Sequence, residues 1–272
     1  MSEKRQIKKF TDKLKSASAG HVPAADDLRI KIFADGANKE IILRYYQDPR
    51  IAGFTTNPTL MRKANISDYE TFAHEILAII HDRPISFEVF SDDFEEMEKQ
   101  ARTISTWGDN VNIKIPITNT KGDSSAPLIK RLVAAGIKLN VTALTYYEQV
   151  KEVASILSQD KGGIVSVFAG RIADSGRDPM PIMKQSLNFL RDYPNVELLW
   201  ASPRELYNLV QADMIGCHII TVTEDILKKL PLLGGTLKQV SLDTVRMFYN
   251  DAQAAGYKIK TVEAMAKLSA KK

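Results

Sequence analysis

Val111-Asn112-Ile113-Lys114-Ile115-Pro116-Ile117-Thr118 reads as a short interior strand. β-branched residues dominate it, Asp109-Asn110 precede it, and Pro116 falls near its end. A single Lys stands in its middle. An ammonium inside an apolar strand is costly unless it is paired or neutral. Lys114 therefore pairs with a carboxylate or snorkels out of the sheet, or it is kept for chemistry. In the third case it is a nucleophilic amine that attacks a carbonyl and forms a Schiff base.

Outward from this strand the same unit recurs in both directions. Leu28–Asp35, Arg50–Asn57 and Pro84–Phe90 read as strands before it; 136–142, 163–169, 196–202 and 217–222 read as strands after it. Helical stretches alternate with them at 39–47, 68–81, Ser91-Asp92-Asp93 through Ile104, 125–135, 146–157, from Pro179 to Asp192, 204–212 and 224–230. Residues 170–179 read as a loop. On the helix over 68–81, Tyr69, Phe72, Ile76 and Ile79 mark one apolar face. Strict strand–helix alternation without a composition break implies a parallel sheet, and eight units close it into a single (β/α)8 barrel of the α/β class. An open dinucleotide-binding sheet needs a glycine-rich loop after its first strand, and Asp35-Gly36-Ala37-Asn38 is not one.

The expected domain plan is an N-terminal basic extension over 1–28, the barrel with an extra C-terminal helix over 29–258, and a tail over 259–272. The extra helix, at 241–254, carries Leu242, Val245, Phe248, Tyr249 and Ala252 on one face. Packing inside its own chain is the plain expectation for that face, and a contact in a homo-oligomer is the alternative. The chain has 272 residues, 44% of them hydrophobic and 26% charged, enough for a sizeable core. Its net charge of +4 gathers at the two ends, so no basic stripe for nucleic acid lies within the periodic region. One cysteine, Cys217, excludes an internal disulfide, and neither a secretory leader nor a membrane span is evident. A cytoplasmic protein is the expectation. His21, His74, His81 and His218 form no metal-binding motif, and no metal or organic cofactor is expected.

In a barrel of this kind, polar residues at or within the strand ends converge on one pocket. Here they are Asp35, Asn57, Glu88, Lys114, Asn140, Thr142, Ser166, Arg171, Ser202 and Arg204. Each has a plain alternative: Asp35 caps a helix, Asn57 before Pro58 makes a turn, Arg171 is solvated. Together they permit one chemistry. A neutral amine condenses with a ketone to an iminium, which acts as an electron sink for carbon–carbon cleavage. Asp35 accepts the proton of the hydroxyl beside the breaking bond, and Glu88 relays protons through a held water. Asn57, Asn140 and Thr142 hold hydroxyls or that water. Arg171 and Arg204 with Ser202 suit a phosphate.

These residues lie in motifs that resemble the transaldolase family. Gly53-Phe54-Thr55-Thr56-Asn57-Pro58-Thr59-Leu60 looks like its signature, and Val111–Pro116 looks like its Schiff-base strand. Leu139-Asn140-Val141-Thr142 and Val167-Phe168-Ala169-Gly170-Arg171-Ile172 are similar to two further motifs. The resemblance implies a Schiff base on Lys114, acid–base work by Asp35, and a catalytic water held by Glu88 and Thr142. It implies that Asn57 and Asn140, with Ser166 beside them, bind a dihydroxyacetone portion, and that Arg171, Ser202 and Arg204 take a sugar phosphate. It also implies transfer between phosphorylated sugars, as in the pentose phosphate pathway, without a cofactor. Aldolase-like members that release free dihydroxyacetone carry Gln where Glu88 stands and Tyr where Phe168 stands, so this pair resembles the transferase side. Two departures stand out. Gly36 follows Asp35 where Thr or Ser is usual, and Pro203 replaces an aromatic between Ser202 and Arg204. A related aldolase and a non-catalytic sugar-phosphate-binding barrel are the alternatives.

Overall fold

Strands form where β-branched and aromatic residues cluster, and their inward side chains fill the space the strands enclose. The computed structural model describes residues 23–259 and residue 262. Most of the expected extension, and the tail beyond 259 except residue 262, lie outside the described residues. The strands are β1 (Lys31–Asp35), β2 (Ile51–Thr55), β3 (Ile85–Glu88), β4 (Val111–Pro116), β5 (Leu139–Leu144), β6 (Gly163–Val167), β7 (Val196–Trp200) and β8 (Ile219–Thr223). They pair in parallel and in sequence order, and β8 returns to β1 to close the barrel. The expected (β/α)8 barrel is the observed fold.

Between the strands run α1 (Lys39–Tyr46), α2 (Pro58–Lys63), α3 (Tyr69–Leu77), α4 (Phe94–Ile104), α5 (Ala126–Ala134), α6 (Tyr147–Leu157), α7 (Ala169–Asp174), α8 (Met180–Leu190), α9 (Tyr207–Ile215) and α10 (Glu224–Leu227). Several start on side-chain caps: Asn38, Asp68 and Asp93 each accept a hydrogen bond from the backbone N–H three residues on, at 3.0 Å. Several elements differ from the sequence reading. Residues 58–63 form the short helix α2, because Pro58 sits at its first position and Asn57 caps it. The expected loop over 170–179 begins as α7. α3 ends at Leu77, so Ile79 falls beyond it and is exposed, while Ile80 is buried.

Strand register sets the height of each polar side chain. Glu88 on β3 lies level with Lys114 on β4, and Lys114 level with Asn140 on β5. Asp35 on β1 lies level with Thr55 on β2. An apolar layer of Phe33, Ile164, Leu199, Ala201 and Ile219 fills the barrel interior, with Phe168 and Ala52 packed against it. Gly53 makes room for it, since a Cβ there would sit 2.7 Å from the Phe33 ring.

The chain divides after Pro231 into two compact units, and the barrel lies in the first. The second holds α11 (Leu237–Ala254), capped by Thr236, which accepts from Gln239 N–H at 3.2 Å. None of its residues is buried, and Phe248 and Tyr249 are 63% and 64% exposed. No described helix is long and apolar enough to cross a membrane.

Candidate active site

The strand ends surround a cavity of about 530 Å³. Lys114, Asp35, Glu88 and Thr142 line it, as do Asn57, Asn140, Ser166, Phe168, Arg171, Ser202 and Arg204. The structure thus brings together every site residue read from the sequence.

Lys114 points inward from the middle of β4 and is 6% exposed. Its Nζ donates to the Thr56 carbonyl oxygen at 2.8 Å and lies 3.0 Å from Glu88 Oε2. Lys114 is therefore half of an ion pair, not the isolated neutral amine expected from the sequence. Glu88 itself is held through its main chain. Its N–H donates to the Tyr69 hydroxyl at 2.8 Å, and that hydroxyl donates back to the Glu88 carbonyl at 3.2 Å. Burial pushes the Tyr69 phenol well above its ordinary value, so it stays a neutral donor. The sequence reading placed Tyr69 on an apolar helix face and missed this clamp. Its aromatic packing against Phe87 and Trp107 explains why it also fits that face.

Asp35 does not cap the next helix, a task that Asn38 performs. It accepts from Thr55 Oγ1 at 2.8 Å and from Asn57 Nδ2 at 3.3 Å. Thr55 in turn bonds Thr221 of β8. Burial raises the Asp35 carboxyl above the ordinary carboxylate range, against the opposing pull of Lys114 and the Thr55 bond. A carboxyl raised in this way is suited to both taking and returning a proton. Asn57 serves twice, since its Oδ1 accepts from Leu60 N–H at 3.0 Å and caps α2 while its amide holds Asp35.

Asn140 is fully buried. Its amide donates to Ser86 Oγ at 3.1 Å, and its carbonyl accepts from Ser166 Oγ at 2.6 Å. Thr142 is buried too, but its hydroxyl has no partner among the described residues. A buried hydroxyl without a partner marks a place where a ligand or water completes the network.

The guanidiniums stand at the rim. Arg171, on α7, is exposed and forms no ion pair among the described residues. Arg204 makes a two-pronged pair with Asp174, at 2.9 Å through Nε and a second bond through Nη2. That pair holds Asp174 below the usual carboxylate range. Pro203 does not keep Arg204 from the cavity. The corner is tight, because a Cβ on Gly170 would sit 1.5 Å from the Ser202 carbonyl oxygen. Ser202 adopts φ 60°, a left-handed conformation uncommon outside glycine. Lys63, Thr221, Thr223 and Asp225 also line the cavity and were not singled out in the sequence. Lys63 ends α2, Thr221 and Thr223 lie on β8, and Asp225 lies on α10, and neither composition nor spacing marked them.

A family model described as "Transaldolase/Fructose-6-phosphate aldolase" matches residues 32–271. The chain belongs to that family. It is 32% identical over 202 residues to "Probable transaldolase" of Dehalococcoides mccartyi, covering 74% of this chain and 90% of that protein. It is 31% identical over 233 residues to "Probable transaldolase" of Nitrosopumilus maritimus, covering 85% and 100%. Membership makes the chain an aldolase- or transaldolase-type enzyme. Among solved structures the fold is similar to dihydrodipicolinate synthase from Rhodopseudomonas palustris, with TM-score 0.51, 12% identity, and 86% and 82% of the two chains covered. That likeness concerns the barrel alone.

Proposed function

We propose that this protein is a transaldolase, moving a dihydroxyacetone unit from a ketose phosphate to an aldose phosphate through a Schiff base on Lys114. The observation that carries this reading is the buried Lys114 amine, 3.0 Å from the Glu88 carboxylate, on the wall of the cavity that Asp35 also lines. A binding site has no use for such an amine, since its burial costs free energy that a hydroxyl or amide would not.

The chemistry runs as follows. Lys114 passes a proton to Glu88, and the free amine attacks the ketone carbon. Glu88 returns the proton as the carbinolamine loses water to give the iminium, with Thr142 holding that water. Asp35 takes the proton of the substrate hydroxyl next to the breaking bond. That carbon–carbon bond cleaves, its electrons move into the enamine, and the first aldose phosphate leaves. The enamine attacks the aldehyde of the acceptor, and Asp35 gives the proton to the new alkoxide. Water then releases the product. Asn57, Asn140 and Ser166 orient the three-carbon unit, and Arg171, Ser202 and Arg204 hold the phosphate. Phe168 gives the cavity wall no phenol to protonate the enamine. Together with Glu88 this favours transfer over release of free dihydroxyacetone.

Borohydride added with fructose 6-phosphate tests the reading. The expected result is a reduced adduct on Lys114, absent in Lys114→Ala, with turnover that depends on an aldose phosphate acceptor. Steady release of dihydroxyacetone without acceptor makes the enzyme an aldolase instead. Trapping and turnover that survive Lys114→Ala refute the Schiff-base assignment.

A further inference from the structure

The N-terminal end of the barrel holds a second cup, on the far side of the Phe33–Ile164 layer from the first. Its volume is about 400 Å³. Phe33 and Ile164 line it, and around them stand Lys31, Asn112, Lys138, Lys161 and Glu197. Strand alternation explains why polar groups gather there. Lys31, Asn112 and Lys138 lie two residues before Phe33, Lys114 and Asn140, so they share the inward side of their strands.

The charges in this cup do not cancel. Lys31 pairs with Glu197 at 2.7 Å. Lys138 Nζ instead donates to the Asp109 carbonyl oxygen at 2.7 Å, and Lys161 Nζ to the Gly136 carbonyl oxygen at 3.5 Å. Neither forms an ion pair among the described residues. Each carbonyl uses one of three ammonium protons and leaves the rest free. The Asn112 amide makes no hydrogen bond to a described residue and adds a neutral donor. Among the residues that line this open, solvent-facing cup, three ammoniums stand against one carboxylate, an excess of two positive charges that an anion of charge two offsets.

We infer that this N-terminal cup binds a small molecule bearing a phosphate dianion, with Lys138 and Lys161 as the charged contacts and Asn112 as a further donor. Lysines bind phosphate as point charges, so the site needs no bidentate geometry. Chemistry in barrels of this kind belongs to the opposite face, so this is a binding site and not a second centre of catalysis. The inference does not rest on the transaldolase reading.

Inorganic phosphate is the probe, titrated calorimetrically at constant ionic strength against chloride. Arg171→Ala/Arg204→Ala removes the guanidiniums of the first cup and isolates the second. The expected result is one saturable phosphate equivalent in that variant, weakened at least tenfold when Lys138→Gln/Lys161→Gln is added. Lys138→Gln/Lys161→Gln alone keeps sugar-phosphate turnover within twofold of the parent and an unchanged far-ultraviolet spectrum, which excludes misfolding. Three results overturn the inference: no saturable binding in Arg171→Ala/Arg204→Ala, binding undiminished by the lysine changes, or equal competition by chloride.

Discussion

Replacing Lys114 by Met probes the ion pair at the centre of the site. At 3.0 Å and an effective dielectric near 20, the pair attracts by about 5 kcal/mol. Dehydration of the two ions, several kcal/mol each, offsets most of that, so the intact pair contributes little net stability. Removing the cation alone is different, because it leaves Glu88 as a lone, mostly buried carboxylate. The variant escapes by protonating it. For an ordinary glutamate, with pKa about 4.3, that costs about 3.7 kcal/mol at pH 7, and this figure caps the penalty. Contact with the cavity lowers it, so Lys114→Met is expected to lose about 2–3 kcal/mol at pH 7. The folded variant then binds a proton that its unfolded chain does not. Its stability deficit therefore shrinks as pH falls, because the same cap drops to about 1.6 kcal/mol at pH 5.5. Adding Glu88→Gln removes both the deficit and its pH dependence. Urea unfolding at the two pH values, read through buried Trp200, measures this. A deficit that is the same at both pH values, or that Glu88→Gln fails to relieve, refutes the buried-pair argument.

Asp35→Asn should cut kcat by about 10²–10⁴, the usual worth of a placed acid–base group. Because burial raises the folded carboxyl, the parent loses stability as pH rises from the ordinary value through the raised one; the variant, measured by thermal melting, should match or exceed the parent at pH 7.5 and lose that advantage near pH 4. Tyr69→Phe removes the acceptor for the Glu88 N–H, so about 1–3 kcal/mol of stability should be lost in urea, with a lower kcat as Glu88 loosens. An unchanged kcat there would show that Glu88 is held by Lys114 alone. Asp174→Asn frees Arg204 from a half-exposed pair that water screens, so KM for phosphorylated substrates should fall by up to about fivefold, while unphosphorylated analogues stay unchanged. An equal change for both would place Arg204 outside the phosphate subsite.

The barrel was legible because each of its eight units repeats the same local conflict: an apolar run too short for a helix, closed by a polar residue. Boundaries were less legible where one residue serves two elements. Asn57 ends the β2 segment, caps α2 and holds Asp35, and only the first task leaves a trace in the hydrophobic pattern. Residues 170–179 read as a loop because Gly170, Ser175 and Gly176 obscure a six-residue helix. Gly170 is there for a different reason, since the Ser202 carbonyl leaves no room for a Cβ. α11 was legible as a helix by its periodicity, but periodicity cannot say whether an apolar face is covered.

The site was legible as a set of residue types and illegible as a set of pairings, for a physical reason. Strand alternation decides which side chains face inward, and that information is local. Which inward groups meet depends on register between strands, which is not. Lys114 was read as a neutral amine because an isolated charge in that strand is untenable. Level register with Glu88 removes the premise, and the amine sits as half of an ion pair. The pairing also changes what the carboxylate does. In the proposed reaction, a carboxylate already 3.0 Å from Lys114 Nζ is the base placed to take the amine's proton and to return it as the carbinolamine loses water. Thr142 lines the same cavity, and its buried hydroxyl, without a partner among the described residues, is where the proposed reaction would hold that water. On the proposed reading, a ketone that reaches Lys114 therefore meets an amine whose proton has somewhere to go.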